Sequence, residues 1–171
     1  MQESSGTIEK SSNTIITHLG GKYLTFRLSN EEYGIGILKI KEIIGMMPVT
    51  SVPQTPDFVK GVVNLRGKVI PVMDLRLKFS MKSADYTERT CIIVVEIEGK
   101  KGNILIGLVV DSVSEVLNIS QNDIEKTPSF GANLDTKYIQ GMAKMEGGVK
   151  ILLDIDRILS TSEITVLDKA A

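Results

Sequence analysis

Short stretches in which polar and apolar side chains alternate recur along the chain and predict β-strands. Residues 22–29 alternate throughout, which is the period of a half-buried strand. Residues 30–32 predict a turn, and residues 33–37 predict a second strand. Residues 38–44 carry apolar side chains at a spacing compatible with either a helical turn or a bent strand, so both interpretations of this segment stay open.

A β-hairpin is predicted at residues 62–73, where two apolar runs flank a tight polar turn. Gly67 can take the positive φ angle that a two-residue turn requires, so Arg66 is carried at the tip. Asp74 then stands at a position typical of a helix N-cap, and residues 75–79 can form a short helical turn.

The hairpin occurs twice. A shift of 80 residues with no gap aligns Gly67 with Gly147 and Asp74 with Asp154, and it keeps the character of the apolar and turn positions that shape the hairpin. Such self-similarity predicts two related β units in one chain.

A weaker sequence repeat precedes each hairpin. Residues 35–37 resemble residues 106–108, and residues 40–43 resemble residues 113–116, at offsets that differ by two residues. The early part of each unit is therefore expected to be duplicated as well.

The second half of the chain adds further strands and one helix. Residues 90–97 and 103–110 are almost continuously apolar and are joined by a glycine-bounded turn at 99–102, which predicts strands buried on both faces. Thr161 or Ser162 can cap a final helix. Many short strands with Gly and Pro punctuation predict a mainly β protein built from small barrels.

Three regions are expected along the chain. Residues 1–20 are rich in Ser, Thr and Asn and predict a flexible N-terminal arm. Residues 21–160 are expected to form one domain of two interlocked β-barrel subdomains related by internal duplication, at about 21–85 and 86–160. Residues 161–171 predict a C-terminal helix and tail.

The composition excludes several classes of protein. The 171 residues carry 20 basic and 21 acidic side chains, a net charge of -1, so no overall field would gather nucleic acid. The single cysteine cannot form an internal disulfide, which favours a reducing compartment. The sequence has no apolar run of about 18 residues, so we expect a cytoplasmic protein without direct membrane insertion.

Candidate catalytic residues are few, and no metal or other cofactor is expected. His18 lies in the predicted arm, and Cys91 begins an apolar strand with no histidine to activate it. Asp74 and Asp154 resemble a catalytic pair, but their equivalence in the repeat favours twin helix caps. An enzyme using Asp74 and a small-barrel nucleic-acid binder are the rival hypotheses.

The two hairpins differ at their tips, where Arg66 in the first is replaced by Glu146 in the second. Arg66 can pair with Glu42 and hold two elements together, or it can lead a protein-binding surface, and the two roles are compatible. The apolar side chains expected beside that tip are Ile37, Ile40 and Ile43.

With these residues in view, the sequence resembles the CheW-like family of chemotaxis coupling proteins from about Lys22 to Ala170. Its most specific stretches are EEYGIGILKIKEI at 31–43, FVKGVVNLRGKVIPVMDLRLKF at 58–79 and GLVVDSVSEVL at 107–117. The resemblance implies two five-stranded SH3-like barrels around a shared hydrophobic seam.

The resemblance also implies a function. Family members are non-enzymatic adaptors that link the cytoplasmic tips of methyl-accepting chemotaxis receptors to the histidine kinase CheA in membrane-associated arrays. By similarity, Phe130 is a kinase contact in the second barrel. The implied receptor groove consists of Ile37, Ile40, Glu42, Ile43, Val113 and Val116, with Arg66 at its margin.

Overall fold

The computed structural model describes residues 19–99, 101–127 and 137–170, and most of its regular structure is strand. Residues 38–44, for which two interpretations were open, lie in a 3₁₀ turn followed by a strand. The turn begins at Ile37, so the second strand ends one residue earlier than predicted. Strands in the described residues are β1 (Gly21–Leu28), β2 (Glu31–Gly36), β3 (Ile40–Gly45), β4 (Val59–Leu65), β5 (Lys68–Asp74), β6 (Cys91–Gly99), β7 (Gly102–Val110), β8 (Ser112–Ile119), β9 (Ile124–Glu125), β10 (Ile139–Met145) and β11 (Gly148–Leu153). Helical elements are α1 (Leu75–Lys78), α2 (Thr161–Ala170) and the 3₁₀ turns Ile37–Lys39, Gln121–Asp123 and Ile155–Arg157.

The strands form two sheets. The six-stranded sheet has the order β8-β1-β2-β11-β10-β9, and the five-stranded sheet has the order β3-β6-β7-β5-β4. Hairpin neighbours are antiparallel, whereas β2 with β11 and β5 with β7 are parallel. An isolated bridge joins Thr50 to Val62 of β4 in the five-stranded sheet. This bridge is the counterpart of the pairing between β9 and β10 in the six-stranded sheet. The predicted mainly β class with two related subdomains is confirmed.

The two repeats exchange their strands. The first repeat places β1 and β2 in the six-stranded sheet but β3, β4 and β5 in the five-stranded sheet. The second repeat does the reverse, with β6 and β7 in the five-stranded sheet and β8 to β11 in the six-stranded sheet. The expected division into 21–85 and 86–160 therefore separates the repeats and not the sheets, because each chain half crosses over after its first hairpin.

The 80-residue repeat holds in detail at the hairpin ends. The backbone N–H of Asp74 donates to the Phe58 carbonyl at 2.7 Å, and that of Asp154 donates to the Tyr138 carbonyl at 2.8 Å. Each aspartate side chain also accepts from the backbone N–H two residues further on, at 2.9 Å and 3.1 Å. Both carboxylates are thus helix caps, as the repeat predicted.

The weaker repeat before each hairpin has a single offset of 73 residues. The predicted alignment of residues 35–37 with residues 106–108 was therefore wrong by two positions. Gly34 lies opposite Leu152 across the β2–β11 pair, and Gly107 lies opposite Val72 across the β5–β7 pair. A Cβ on Gly34 would lie 3.0 Å from the Leu152 side chain, and one on Gly107 would lie 3.2 Å from that of Val72. A Cβ would therefore crowd the side chain on the parallel strand at both positions, and at Gly107 it would lie closer still, 2.7 Å, to Ile92.

Buried side chains form one shared core and two smaller ones. The shared cluster, here called the seam core, takes side chains from both sheets, including Phe26 and Ile35 from one and Ile93, Val95 and Leu108 from the other. Each sheet also has a core of its own on its opposite face. That of the five-stranded sheet consists of Val63, Ile70, Val72, Ile92, Val94 and Val109, and that of the six-stranded sheet of Tyr23, Ile119, Ala143 and Leu152.

An ion pair secures each crossing between the sheets. Asp111, between β7 and β8, accepts two hydrogen bonds from the Arg76 guanidinium at 2.7 Å and 2.6 Å. Lys39, in the turn between β2 and β3, lies 2.6 Å from Asp156. Arg76 and Asp156 are equivalent in the 80-residue repeat, so the same position in the fold carries opposite charges in the two repeats.

Candidate docking site at the seam

The candidate site lies where β3 and β8 border the seam core. Each is an edge strand of its sheet, and the two are equivalent in the 73-residue repeat. An edge strand has backbone N–H and C=O groups that no neighbouring strand pairs, so another chain can approach it there. The side chains of β3 and β8 therefore decide what can dock.

In β3 a bulge turns two isoleucines to the same side. Side chains three residues apart on a regular strand point to opposite faces. A register shift after Ile40 places that residue opposite Val95 and places Ile43 opposite Ile93. Because Val95 and Ile93 both belong to the seam core, Ile40 and Ile43 both face the seam.

In β8 a second bulge has the same effect. Val113 lies opposite Phe26 and Val116 lies opposite Leu24, with the register shift between them. Phe26 and Leu24 are seam-core residues, so both valines also face the seam. The four residues Ile40, Ile43, Val113 and Val116 are called the seam groove below.

A buried threonine holds the bulge in β8. Thr25 is 0% exposed, and its hydroxyl donates to the Glu115 carbonyl at 2.8 Å and accepts from the Glu115 N–H at 3.2 Å. The hydroxyl replaces the ladder hydrogen bonds that the bulge interrupts. Sequence analysis missed Thr25 because it is one polar residue among several in an alternating strand.

The four seam-groove residues differ in exposure, because two are partly buried and two are exposed. Ile40 and Val113 pack against the seam core, whereas Ile43 is 44% exposed and Val116 is 48% exposed. Cys91 connects the two edge strands, since it lies opposite Gly45 of β3 and hydrogen-bonds the backbone of Val113. Four of the implied groove residues thus face the seam from its two edge strands.

Ile37 lies in the 3₁₀ turn before β3 and is half-buried. Its neighbour Leu38 is 93% exposed, and sequence analysis had not placed it in the site although it belongs to the same apolar pattern. An exposed leucine beside the groove extends the apolar surface toward the crossing between the sheets.

Glu42 and Arg66 lie on the other side of β3 from the seam groove. Glu42 is opposite Val94, whose side chain belongs to the core of the five-stranded sheet alone. Arg66 has φ 51° and Gly67 has φ 86°, as a tight two-residue turn requires. The Arg66 guanidinium donates to the Glu42 carboxylate, which raises the pKa of Arg66, and the Arg66 side chain is 71% exposed.

The remaining candidate residues lie outside the described residues or are held in structural contacts. Phe130 and His18 lie outside the described residues. Burial raises the pKa of the Cys91 thiol, so this cysteine is not activated as a nucleophile. Tyr86 donates to Asp74 at 3.2 Å, and burial together with that carboxylate raises the pKa of Tyr86 to about 12.

The described part of the chain has neither a cluster of metal ligands nor a helix that could span a membrane. Among residues 19–99, 101–127 and 137–170 there is no group of three or more His, Cys, Asp or Glu side chains placed to hold a metal ion. Within the same ranges, every helix is too short or too polar to span a bilayer.

A model of the CheW-like domain matches residues 22–163 of the sequence. The chain belongs to the CheW-like family. This family member is 42% identical over 153 residues to a chemotaxis protein CheW of Klebsiella aerogenes, with 90% of each chain covered. It is 33% identical over 148 residues to a chemotaxis protein CheW of Rhizobium meliloti, covering 86% of this chain and 93% of that one.

A solved structure gives the same result. The crystal structure of scaffolding protein TtCheW from Thermoanaerobacter tengcongensis matches with a TM-score of 0.74 and 34% identity, covering 85% of this CheW-like chain and 96% of that chain. The resemblance seen in the sequence is confirmed, and the chain is a CheW-like scaffold of chemotaxis.

Proposed function

We propose that this CheW-like chain is a non-enzymatic adaptor that couples the tips of methyl-accepting chemotaxis receptors to the histidine kinase CheA in membrane-associated receptor arrays. The observation that carries the proposal is the pair of equivalent bulged edge strands, which exposes apolar side chains on both sides of the seam. Candidate catalytic groups are engaged in structure, since Asp74 and Asp154 cap helical turns.

The receptor would occupy the seam groove. A receptor tip is a helical hairpin, and an amphipathic helix binds a groove through apolar side chains on one face. Ile43 and Val116 would contact that helix first because they are the exposed residues of the groove. The full receptor-binding set proposed is Ile37, Ile40, Glu42, Ile43, Arg66, Val113 and Val116.

Although they lie on the other side of β3 from the seam groove, Arg66 and Glu42 would form the margin of this surface at that edge strand. Their ion pair joins the tip of the β4–β5 hairpin to β3. An exposed ion pair contributes little to stability. Its larger effect would be to orient the guanidinium at the edge of the docking surface.

The kinase would bind at the exposed ends of the two sheets, with Phe130 as a contact. Individual contacts of this kind can be small, and simultaneous binding of receptor and kinase in an array would strengthen them by avidity. Neither a cofactor nor nucleic acid takes part in the proposed function.

The test is co-sedimentation of CheA with receptor-containing membranes. Native protein should carry the kinase into the membrane pellet, and Arg66→Ala should reduce the kinase in the pellet while leaving the thermal midpoint close to native. Glu146→Ala is the matched control, because Glu146 is exposed at the equivalent hairpin tip. Failure of the native protein to carry kinase into the pellet would refute the adaptor function. Equal bridging by the two variants would refute only the assignment of Arg66.

A further inference from the structure

A cleft lies where the described part of the chain begins. Its volume is about 520 Å³, and it adjoins β9, the edge strand of the six-stranded sheet. Leu19, the first described residue, lines the cleft together with Ile124 of β9 and Ile139 of β10. These three side chains are partly exposed, so the cleft has an apolar wall that the described residues leave open to solvent.

Hydrogen bonds hold the chain against this cleft. The backbone N–H groups of Leu19 and Gly20 donate to the side-chain carbonyl of Gln121 at 2.6 Å and 2.8 Å. The Tyr23 hydroxyl donates to the Leu19 carbonyl at 2.5 Å and accepts from the Gln140 amide at 3.2 Å. Gln121 and Gln140 both line the cleft. The residues that precede Leu19 therefore start from a fixed point at its wall.

The Leu19 side chain packs over a glycine of β10. A Cβ on Gly141 would lie 2.8 Å from the Ile124 side chain and 3.3 Å from that of Leu19. The absence of a side chain at Gly141 thus leaves room for both. Apolar contact between the entering chain and the cleft begins at Leu19 and can continue toward the N-terminus.

Charges around the cleft have both signs. Glu125 lies 2.9 Å from the ammonium of Lys144, and Arg157 lies 3.4 Å from Asp154. The charged residues that line the cleft are Glu125, Lys126, Lys137 and Arg157. Because an acidic side chain and basic ones are mixed there, we argue the occupant from the apolar wall and not from charge.

The residues just before Leu19 fit an apolar wall. Residues 14–17 are four β-branched side chains in succession, which favours an extended chain, and none of them is charged. Alternate side chains of an extended chain share a face, so Ile15 and Thr17 would point to the same side as Leu19. Four residues span at most about 14 Å, so Ile15 lies within reach of the cleft.

We propose that residues 14–18 of the predicted arm bind this cleft of the same chain, with the Ile15 side chain against Ile124 and Ile139. Attachment at Leu19 makes this binding intramolecular, and a short tether gives an effective concentration on the order of millimolar. That advantage favours the arm over a second copy or another protein. The arm covers the edge at β9, which is only two residues long, and shields it from other chains.

The test is NMR spectroscopy of the full-length protein with labelled isoleucine methyl groups. Native protein should show methyl–methyl cross-peaks from Ile15 to Ile124 and Ile139. Ile15→Asp should shift the Ile124 and Ile139 methyl resonances, because a charge is disfavoured in an apolar contact. Ile8→Asp is the matched control, since it makes the same change in the same arm further from the fold, and it should leave both resonances at their native positions.

Each other occupant gives a different result. Cross-peaks between Ile15 of one copy and Ile124 of another, in a mixture of differently labelled proteins, would assign the cleft to a second copy and overturn the inference. Cross-peaks from the Phe130 ring in place of those from Ile15 would overturn it as well. So would native protein without Ile15 cross-peaks whose Ile124 and Ile139 resonances do not respond to Ile15→Asp. None of these measurements involves receptor or kinase, so their outcome is independent of the adaptor function.

Discussion

At the scale of single residues, the shape of the docking site depends on the hydrogen bonds of the Thr25 hydroxyl. Thr25 lies fully buried beneath the β8 bulge, and its hydroxyl both donates to and accepts from the backbone of Glu115. Without those two bonds the bulge would leave the partly buried N–H and C=O of Glu115 without these partners. Since the bulge turns Val113 and Val116 to the same side, Thr25 supports the site without touching a ligand.

Replacing Thr25 with Val should destabilise the fold and weaken receptor binding. Valine keeps the shape but cannot bond the Glu115 backbone, and the net loss of a hydrogen bond of this kind costs about 0.5–1.5 kcal/mol. Urea denaturation measures the free energy of unfolding. Thr50→Val is the control, because Thr50 is exposed and should change stability by less than about 0.5 kcal/mol. Equal stability of the two variants would show that the bulge needs no hydroxyl.

At the scale of elements, the two crossings between the sheets are secured by ion pairs of opposite polarity. Arg76 follows the first hairpin and binds Asp111 of the second crossing. Asp156 follows the second hairpin and binds Lys39 of the first crossing. The pair at Asp111 is the less exposed of the two, with Arg76 18% and Asp111 28% exposed, so its loss should cost more.

The Asp111 pair predicts a component of acid sensitivity. Burial raises the pKa of Asp111, but hydrogen bonds from Arg76 and the Ser29 N–H outweigh that effect and leave the pKa below its ordinary value. The stabilisation is therefore complete above the unfolded-state pKa of about 3.9 and is lost as the pH falls through the lower folded-state value.

Asp111→Asn should lower the free energy of unfolding by about 1–3 kcal/mol at pH 7. It should also flatten the decline of stability below about pH 4, because the variant has no carboxylate to protonate. Asp85→Asn, in the exposed connector, is the control and should leave both quantities unchanged. A native pH profile retained by Asp111→Asn would show that other carboxylates govern the acid transition.

The β4–β5 hairpin depends on Gly61 as well as on the turn glycine Gly67. Gly61 has φ 141°, and a Cβ there would overlap the Thr50 carbonyl that pairs with β4. Gly61→Ala should cost about 3 kcal/mol, since the obstacle is backbone and cannot move aside. Gly36→Ala is the control, because no atom lies within 4 Å of its Cβ position. Thermal unfolding that is equal for both would contradict the tight approach of Thr50.

At the scale of the whole molecule, the sequence predicts the local structure and the duplication but not the exchange of strands. The hairpins and helix caps follow from local patterns, and the prediction that Asp74 and Asp154 are equivalent helix caps is confirmed. Which strand pairs with β3 is a long-range choice, and its partner β6 belongs to the other repeat. Alternation within a strand carries no information about that choice.

The site was predictable only in part. The resemblance pointed to Ile40, Ile43, Val113 and Val116, but the spacing of residues 38–44 fitted a helical turn as well as a bent strand. Only the register of the paired strands reveals the bulges that bring these side chains to one face. Leu38 was missed because its place in the apolar pattern of residues 38–44 does not distinguish an exposed leucine from a buried one.

The central claim is that the exposed rim of the seam groove binds the receptor, and a pair of matched valines tests it. Val116 in the groove and Val149 on β11 are each 48% exposed. With folding verified by thermal unfolding, Val116→Asp should weaken binding to receptor-containing membranes at least about tenfold, because it places a charge in an apolar contact. Val149→Asp should bind as native protein does. Native binding by Val116→Asp, or equal losses in the two variants, would contradict the assignment of the groove.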